Sequence, residues 1–169
     1  FMKIKKAIIP IAGKGTRFLP ATKEIAKEII PIINVPMIHY VVKEAVEAGV
    51  EQIIFVTSSG KFAVEDYFDR NQEMEAFLER NNKMKEQELI RDIGSMVDVT
   101  SVRQKEQLGL GHAVLMAKSM VGNDPFAILL GDDLVINKEP AIKQLMDVSL
   151  RNNGAAVIGV MEVPKSDTA

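Results

Sequence analysis

The 169-residue sequence contains no cysteine and no tryptophan, and it has only two histidines, His39 and His112. Without cysteine the chain has no disulfide framework, no thiolate nucleophile and no cysteine-ligated zinc site. Two isolated histidines also exclude a histidine-rich metal site. The remaining tools for chemistry are carboxylates, lysine, arginine, glycine and backbone groups, which are suited to binding phosphate.

Neither the charge balance nor the apolar runs indicate a macromolecular or membrane partner. The 21 Lys and Arg residues nearly balance the 23 Asp and Glu residues, so no overall positive field attracts nucleic acid. The apolar runs, such as residues 155–161, are far shorter than the roughly 20 residues that cross a bilayer. No signal peptide is recognisable, and we expect a globular, cytoplasmic protein that binds neither nucleic acid nor membrane.

Strand-like and helix-like periodicities alternate along the chain, which favours an α/β fold with an open, mostly parallel sheet and helices on both faces. In such sheets ligands bind beyond the carboxyl ends of the strands. The pattern predicts strands at residues 4–11, 52–57, 98–103, 125–130 and 155–163, and helices at residues 36–48, 61–68, 109–120 and 139–150.

The segment 69–93 interrupts this alternation because it is charged, rich in methionine and broken by Asn81-Asn82. Its two short apolar stripes predict a helical excursion with a solvated outer face. The alternative is a subunit contact through residues 69–93 in a homo-oligomer, since the stripes need a surface on which to be buried.

The first candidate motif is AGKGTR, residues 12–17, directly after the first strand. It is not a dinucleotide fingerprint, because the third glycine would fall at Phe18, and it is not a Walker A loop, because Gly15 replaces the Ser or Thr. Two glycines let backbone N–H groups approach an anion, while Lys14 and Arg17 supply positive charge. A tight turn is the alternative, but two cations within the motif favour a phosphate cradle.

Two other segments carry cations without a recognised motif. Gly60-Lys61 is followed by Phe62, so it also fails as a Walker A loop. The segment 23–31 (KEIAKEIIP) carries Lys27 and Glu28, and taken alone it indicates a solvated helix face.

The segment 104–113 (QKEQLGLGHA) lies between a predicted strand and a predicted helix. Gly109 and Gly111 leave helix N–H groups open to a ligand edge or a phosphate. Gln104 offers both a donor and an acceptor, the pair that reads an imide-bearing base such as uracil. For His112 the sequence favours a structural or capping role over a catalytic one.

Gly131-Asp132-Asp133 follows the apolar strand FAILL. Adjacent carboxylates at the end of a strand suit a magnesium ion that keeps several waters and bridges phosphates. A β-turn with a helix cap is the alternative, which becomes weaker because the glycine-cation loop lies at the same sheet edge. Together the motifs predict nucleotidyl transfer without a covalent enzyme intermediate, since no activated nucleophile and no GxSxG elbow is evident.

Three segments, KAIIPIAGKGTRFLPATKEIAKEIIPI, SVRQKEQLGLGHAV and FAILLGDDLV, occur in this order, and with them the sequence resembles the bacterial UTP–glucose-1-phosphate uridylyltransferases. The resemblance implies a Rossmann-like nucleotide-diphospho-sugar transferase fold. It also implies Mg²⁺ as cofactor and a reaction in which UTP and glucose 1-phosphate give UDP-glucose and pyrophosphate.

The resemblance also implies roles for individual residues. Arg17, Lys27 and Asp132 would be catalytic, with Asp132 as a magnesium ligand and Asp133 near the ribose. The other positions that the resemblance assigns are Ala12, Gly13, Gln104 and Gly109 at uracil, Gly15 and Thr16 along the triphosphate with Arg17 and Lys27, and Glu28 supporting the base end. Lys14 and Gly111 are added as substrate-binding positions from their motifs.

Two departures from the family pattern bear on these expectations. Ala26 stands where proline is usual, which loosens the loop that carries Lys27, and Ile29-Ile30 replace Met-Leu. Family members also extend further than this sequence. We therefore expect residues 1–169 to be the nucleotide-binding part of one nucleotidyltransferase domain, truncated before the sugar-binding part and inactive alone. The alternatives are a sugar-1-phosphate thymidylyltransferase and a non-catalytic regulatory homologue that binds nucleotide.

Overall fold

The computed structural model describes residues 3–167, which are built around a parallel sheet. Its strands are β1 (Lys6–Pro10), β4 (Gln52–Thr57), β5 (Asp98–Arg103) and β6 (Phe126–Ile128), in the spatial order β5-β4-β1-β6. A small antiparallel pair, β2 (Pro31–Ile32) and β3 (Val35–Pro36), lies outside this sheet. The helices are α1 (Met37–Glu47), α2 (Phe62–Phe68), α3 (Gln72–Arg80), α4 (Met84–Gly94), α5 (Leu110–Met116), α6 (Lys118–Val121) and α7 (Ala141–Arg151).

The apolar strands bury both faces of the sheet. Because successive side chains of a strand point to opposite faces, Ile9 and Phe55 join one core cluster while Ile8 and Ile54 join another. The first cluster includes residues of α1, α2 and α7, and the second includes residues of α5 and α6. The predicted parallel sheet with helices on both faces is confirmed.

The sheet has a topological switch point at β1. The strands β4 and β5 lie on one side of β1, and β6 lies on the other. Beyond their carboxyl ends the loops after β1 and β6 stay close, since a Cβ built on Gly131 would lie 3.7 Å from the carbonyl oxygen of Pro10. A ligand crevice is expected at this point of an open α/β sheet.

The predicted excursion forms as the helix pair α3 and α4, separated by a turn at Asn81-Asn82. Leu78 is buried, whereas Met74, Phe77, Met84 and Leu89 are roughly half exposed. The helical excursion is therefore confirmed, and a subunit contact through these side chains stays a prediction.

The strand predicted at residues 155–163 is wrong. Ile158, Val160 and Met161 are each about four-fifths exposed, and no strand among residues 3–167 pairs with this segment. A strand is held by backbone hydrogen bonds to a neighbour, so a correct apolar pattern alone does not form one.

Two other elements differ in extent from the prediction. The strand β6 has three residues rather than six, since after the bond from Leu129 N to Ile8 O the backbone turns toward Asp132. The helix predicted at residues 109–120 divides at buried Ala117, where the bond from Ala117 N to Val114 O is of the tighter i to i−3 type. Within residues 3–167 we find no helix that is both long and apolar enough to span a membrane.

Candidate functional site

The glycine loop after β1 is folded against the turn that carries Lys27. Gly15 adopts φ +65°, and a Cβ at this position would lie 3.1 Å from Thr22 Cγ2 and 3.2 Å from Lys27 Cβ. Thr22 Oγ1 donates a hydrogen bond to Gly15 O at 2.7 Å. Both the conformation and the close approach require glycine, and they bring the loop next to Lys27.

Three residues that the sequence assigned to phosphate and metal meet at the switch point. Lys27 Nζ lies 2.6 Å from Asp132 Oδ2, although the two residues are 105 positions apart in the chain. Arg17 Nη2 lies 3.8 Å from the same oxygen, and the Arg17 side chain is 85% exposed. The cluster leaves Arg17 accessible to an anion while Asp132 is already neutralised by Lys27.

Gln104 is buried just after β5, where its backbone and its side chain both form hydrogen bonds. Its N–H donates to Thr57 O at 2.9 Å. Its Nε2 donates to Gly109 O at 3.2 Å and to His112 Nδ1 at 2.9 Å. The expectation that Gln104 offers a ligand both a donor and an acceptor is thus corrected, because both donor hydrogens are already used inside the protein.

Gly109 and Gly111 lie where α5 begins, as predicted. Gly109 adopts φ +94°, and its carbonyl oxygen accepts a hydrogen bond from Ala113 N at 3.1 Å. No atom lies within 4 Å of a Cβ built on either glycine, so the backbone is open on this side. His112 Nδ1 lies 2.9 Å from Gln104 Nε2, and the structural or capping role that the sequence favoured for it stays a prediction.

The carbonyl of Ala12 joins loops from three strands. It accepts hydrogen bonds from Gln107 Nε2 at 2.6 Å and from Ser58 Oγ at 3.2 Å. Sequence reasoning did not select Gln107 or Ser58, although both follow strands at the edge where ligands were expected. These bonds hold the loops after β1, β4 and β5 together.

Two clefts open at this edge of the sheet. The larger has a volume of about 910 Å³ and the smaller about 400 Å³, and Arg17, Lys27 and Asp132 line the smaller one. The residues that line both clefts are Ala12, Gly13, Gln104 and Gln107.

A buried ion pair lies at the wall of the larger cleft. Glu28 is fully buried, and its Oε2 accepts a hydrogen bond from Lys61 Nζ at 2.8 Å. Its Oε1 has no hydrogen-bond partner among residues 3–167. Sequence reasoning set Lys61 aside because Gly60-Lys61 is not a Walker A loop, and its place in the loop that follows β4 was the signal that it missed.

The remaining predicted positions are at the surface. Lys14, Thr16 and Asp133 are exposed, and Asp133 N bonds to Leu130 O at 3.3 Å in the turn after β6. The part of the chain that the structure describes holds no group of three or more metal-ligating side chains. Asp132 and its exposed neighbour Asp133 thus do not belong to a closed metal site within residues 3–167.

A parallel α/β sheet that gathers a glycine loop, two cations and a carboxylate at its switch point is the arrangement typical of the nucleotide-binding class of α/β domains. The family whose model is described as "Nucleotidyl transferase" matches residues 6–168. The chain belongs to this family.

Relatives and solved structures agree with the resemblance seen in the motifs. The chain is 55% identical to a UTP–glucose-1-phosphate uridylyltransferase of Staphylococcus epidermidis over 166 residues, 98% of this chain and 57% of that protein. A relative of the same name from Staphylococcus haemolyticus is 53% identical over the same shares. The chain therefore spans little more than half the length of these curated relatives.

Two solved structures support the same assignment of the fold. A UTP-bound UGPase from Acinetobacter baumannii is 49% identical with a TM-score of 0.82, and the match covers 89% of this chain and 54% of that one. A UDP-glucose pyrophosphorylase complexed with UDP-glucose is 42% identical with a TM-score of 0.75, over 89% and 55% of the two chains. The nucleotidyl transferase fold and the resemblance to uridylyltransferases are confirmed.

Proposed function

We propose that the intact protein makes UDP-glucose and pyrophosphate from UTP and glucose 1-phosphate. The observation that carries the proposal is the meeting of Arg17, Lys27 and Asp132 beside the glycine loop, at the switch point of the sheet. The names of the relatives support the uridylyl group and glucose as substrates. The cytoplasmic location and the assignment of these residues to the nucleotide side of one domain stay predictions.

In the proposed reaction a phosphate oxygen of glucose 1-phosphate attacks the α-phosphorus of UTP. One P–O bond forms as the bond to the departing pyrophosphate breaks, so the protein has to align the two substrates and neutralise charge. Arg17 and Lys27 bind the triphosphate, and the backbone of residues 13–16 approaches it closely. The exposed Arg17 side chain can reach a phosphate without breaking a strong internal bond.

The base would lie against Ala12, Gly13 and Gln104, which line both clefts, and against Gly109, which lines the smaller one. Glu28 would support the base end through its bond to Lys61, which lines the larger cleft. Asp133 and Gly111, which are both exposed, are assigned to the ribose and to the nucleotide edge, respectively. No residue of this chain is assigned to glucose.

Asp132, next to Asp133, would hold magnesium, which when bound neutralises charge on the phosphates. Lys27, which is bonded to Asp132 in this structure, would then be available to bind an anion.

Calorimetric titration of the intact protein with UTP and dTTP in the presence of Mg²⁺ tests the substrate. We expect UTP to bind at least tenfold more tightly, whereas equal affinities would indicate a thymidylyltransferase. Magnesium-dependent pyrophosphate release that disappears in Asp132→Ala tests the reaction. Tight UTP binding without pyrophosphate release in the unmodified protein would indicate a non-catalytic homologue.

A further inference from the structure

The amide of Gln104 is held in one orientation by the protein itself. An amide nitrogen carries two hydrogens and accepts none, and Nε2 of Gln104 uses both on Gly109 O and His112 Nδ1. The ring nitrogen Nδ1 must therefore accept, so neutral His112 carries its proton on Nε2. The atom that Gln104 retains for a ligand in the two clefts that it lines is Oε1, an acceptor.

Of the two acceptors, His112 Nδ1 forms the stronger hydrogen bond with the Gln104 amide. Its contact is the shorter one, at 2.9 Å against 3.2 Å for Gly109 O. The Gly109 carbonyl also accepts from Ala113 N at the start of α5, so it is shared between two donors. If the bond to His112 is removed, only the weaker and shared bond to Gly109 O still opposes rotation of the amide by half a turn, which would present Nε2 to the ligand instead.

We propose that His112 is a positioning residue that sets base selectivity by fixing the oxygen of the Gln104 amide toward the ligand. A base with a ring N–H, such as uracil, donates to this oxygen. Cytosine has an unprotonated ring nitrogen at the equivalent position and meets the oxygen with a lone pair. Thymine carries the same N–H as uracil, so this device separates UTP from CTP and does not separate UTP from dTTP. The inference rests on the proposed function, since it requires a nucleotide base at Gln104.

The test compares His112→Leu with His112→Asn by measuring the affinities of UTP and CTP with Mg²⁺ in the intact protein. In asparagine, Oδ1 is attached to Cγ as Nδ1 is in histidine, so His112→Asn retains an acceptor at the same reach while His112→Leu has none. We expect His112→Leu to lower the UTP-to-CTP affinity ratio about three- to tenfold, the effect of one ordinary hydrogen bond, and His112→Asn to change it less than about twofold.

His39→Leu is the matched control. His39 Nδ1 also makes one side-chain hydrogen bond, at 3.1 Å to Tyr67 Oη, and His39 lines neither cleft. Its replacement should leave the UTP-to-CTP ratio unchanged. Nitrogen-15 NMR of the unmodified protein gives a readout that does not depend on how well the variants fold, and we expect His112 to show a protonated Nε2 and a bare Nδ1.

The outcomes separate this inference from the function on which it rests. An unmodified protein that does not prefer UTP over CTP overturns the proposed function and the inference with it. A UTP-selective protein whose preference survives in His112→Leu overturns the inference alone, as does an equal loss of affinity for both nucleotides. A proton on Nδ1 of His112 also overturns it.

Discussion

Lys27 and Asp132 neutralise each other across the switch point, with 2.6 Å between Nζ and Oδ2. Both side chains are mostly shielded from solvent, at 15% and 20% exposure, so the pair is screened less than a surface ion pair. The same carboxylate is the proposed magnesium ligand, and the same ammonium is the proposed phosphate ligand. If both proposals hold, Lys27 and magnesium would compete for Asp132 when no nucleotide is bound.

This competition predicts that Lys27→Met raises the affinity for Mg²⁺ in the absence of nucleotide and lowers the affinity for UTP with Mg²⁺. We expect the gain for the metal to be about fivefold, corresponding to roughly 1 kcal/mol for the lost ion pair. Calorimetric titration with MgCl₂ measures it, with Lys43→Met as the control, because Lys43 pairs with Glu47 on α1. Unchanged magnesium affinity in Lys27→Met would show that the two cations do not share Asp132.

The exposed side chain of Arg17 gives a second prediction. Its guanidinium lies 3.8 Å from Asp132 and is otherwise open to solvent, so we assign its binding energy to phosphate. Arg17→Ala should lower the affinity for UTP about tenfold, the effect of a lost charged hydrogen bond, and should leave the affinity for uridine unchanged. Competition titrations with both ligands measure the difference. Equal losses for UTP and uridine would assign Arg17 to the base or to the folding of the loop.

The sequence predicted those parts of the fold that depend on local pattern. The bounds of β4 and β5 were predicted to the residue, because their apolar or alternating runs end at recognisable turns. Residues 155–163 have an equally clear pattern, but a strand also requires a partner, which one sequence does not reveal. The sequence predicted that Lys27 and Asp132 lie at the same edge of the sheet. It did not predict the hydrogen bond between them.

The features of the site that could not be predicted from the sequence are pairings between side chains. Lys61 pairs with Glu28 across 33 positions, and neither residue type indicates the other. The orientation of the Gln104 amide depends on a histidine one helical turn beyond Gly109. Such pairings depend on how loops pack, and residue spacing within one motif does not contain that information.

The buried pair of Lys61 and Glu28 gives a prediction about stability. Lys61→Met would leave the Glu28 carboxylate buried without a cation, which typically costs about 3–5 kcal/mol. The melting temperature should then fall by roughly 10 °C, and adding Glu28→Gln should restore most of it. Thermal unfolding by circular dichroism measures both. Lys5→Met is the control, because its pair with Glu51 is exposed and should contribute less than about 1 kcal/mol.

Near-equal melting temperatures for Lys61→Met and Lys5→Met would contradict this role. They would mean that water reaches Glu28 in solution, or that another cation replaces Lys61 beside it. The double variant would then show no recovery, since no uncompensated charge remains to be removed.

Glu75 on α3 pairs with Arg70 and with Arg91 of α4. These pairs make the stability of the helix pair sensitive to acid. Hydrogen bonds from Arg70 and then Arg91 lower the pKa of Glu75 from 4.5 to about 2. A carboxyl group whose pKa is lower in the folded than in the unfolded protein stabilises the fold at pH values above the unfolded pKa. This stabilisation is lost as the pH falls from about 4.5 to about 2. The melting temperature of Glu75→Gln should lie below that of the unmodified protein at pH 6, and the two should converge near pH 2. Glu73→Gln, an exposed change on the same helix, should follow the unmodified protein throughout. A constant difference between Glu75→Gln and the unmodified protein would assign the stabilisation to packing rather than to the charge of Glu75.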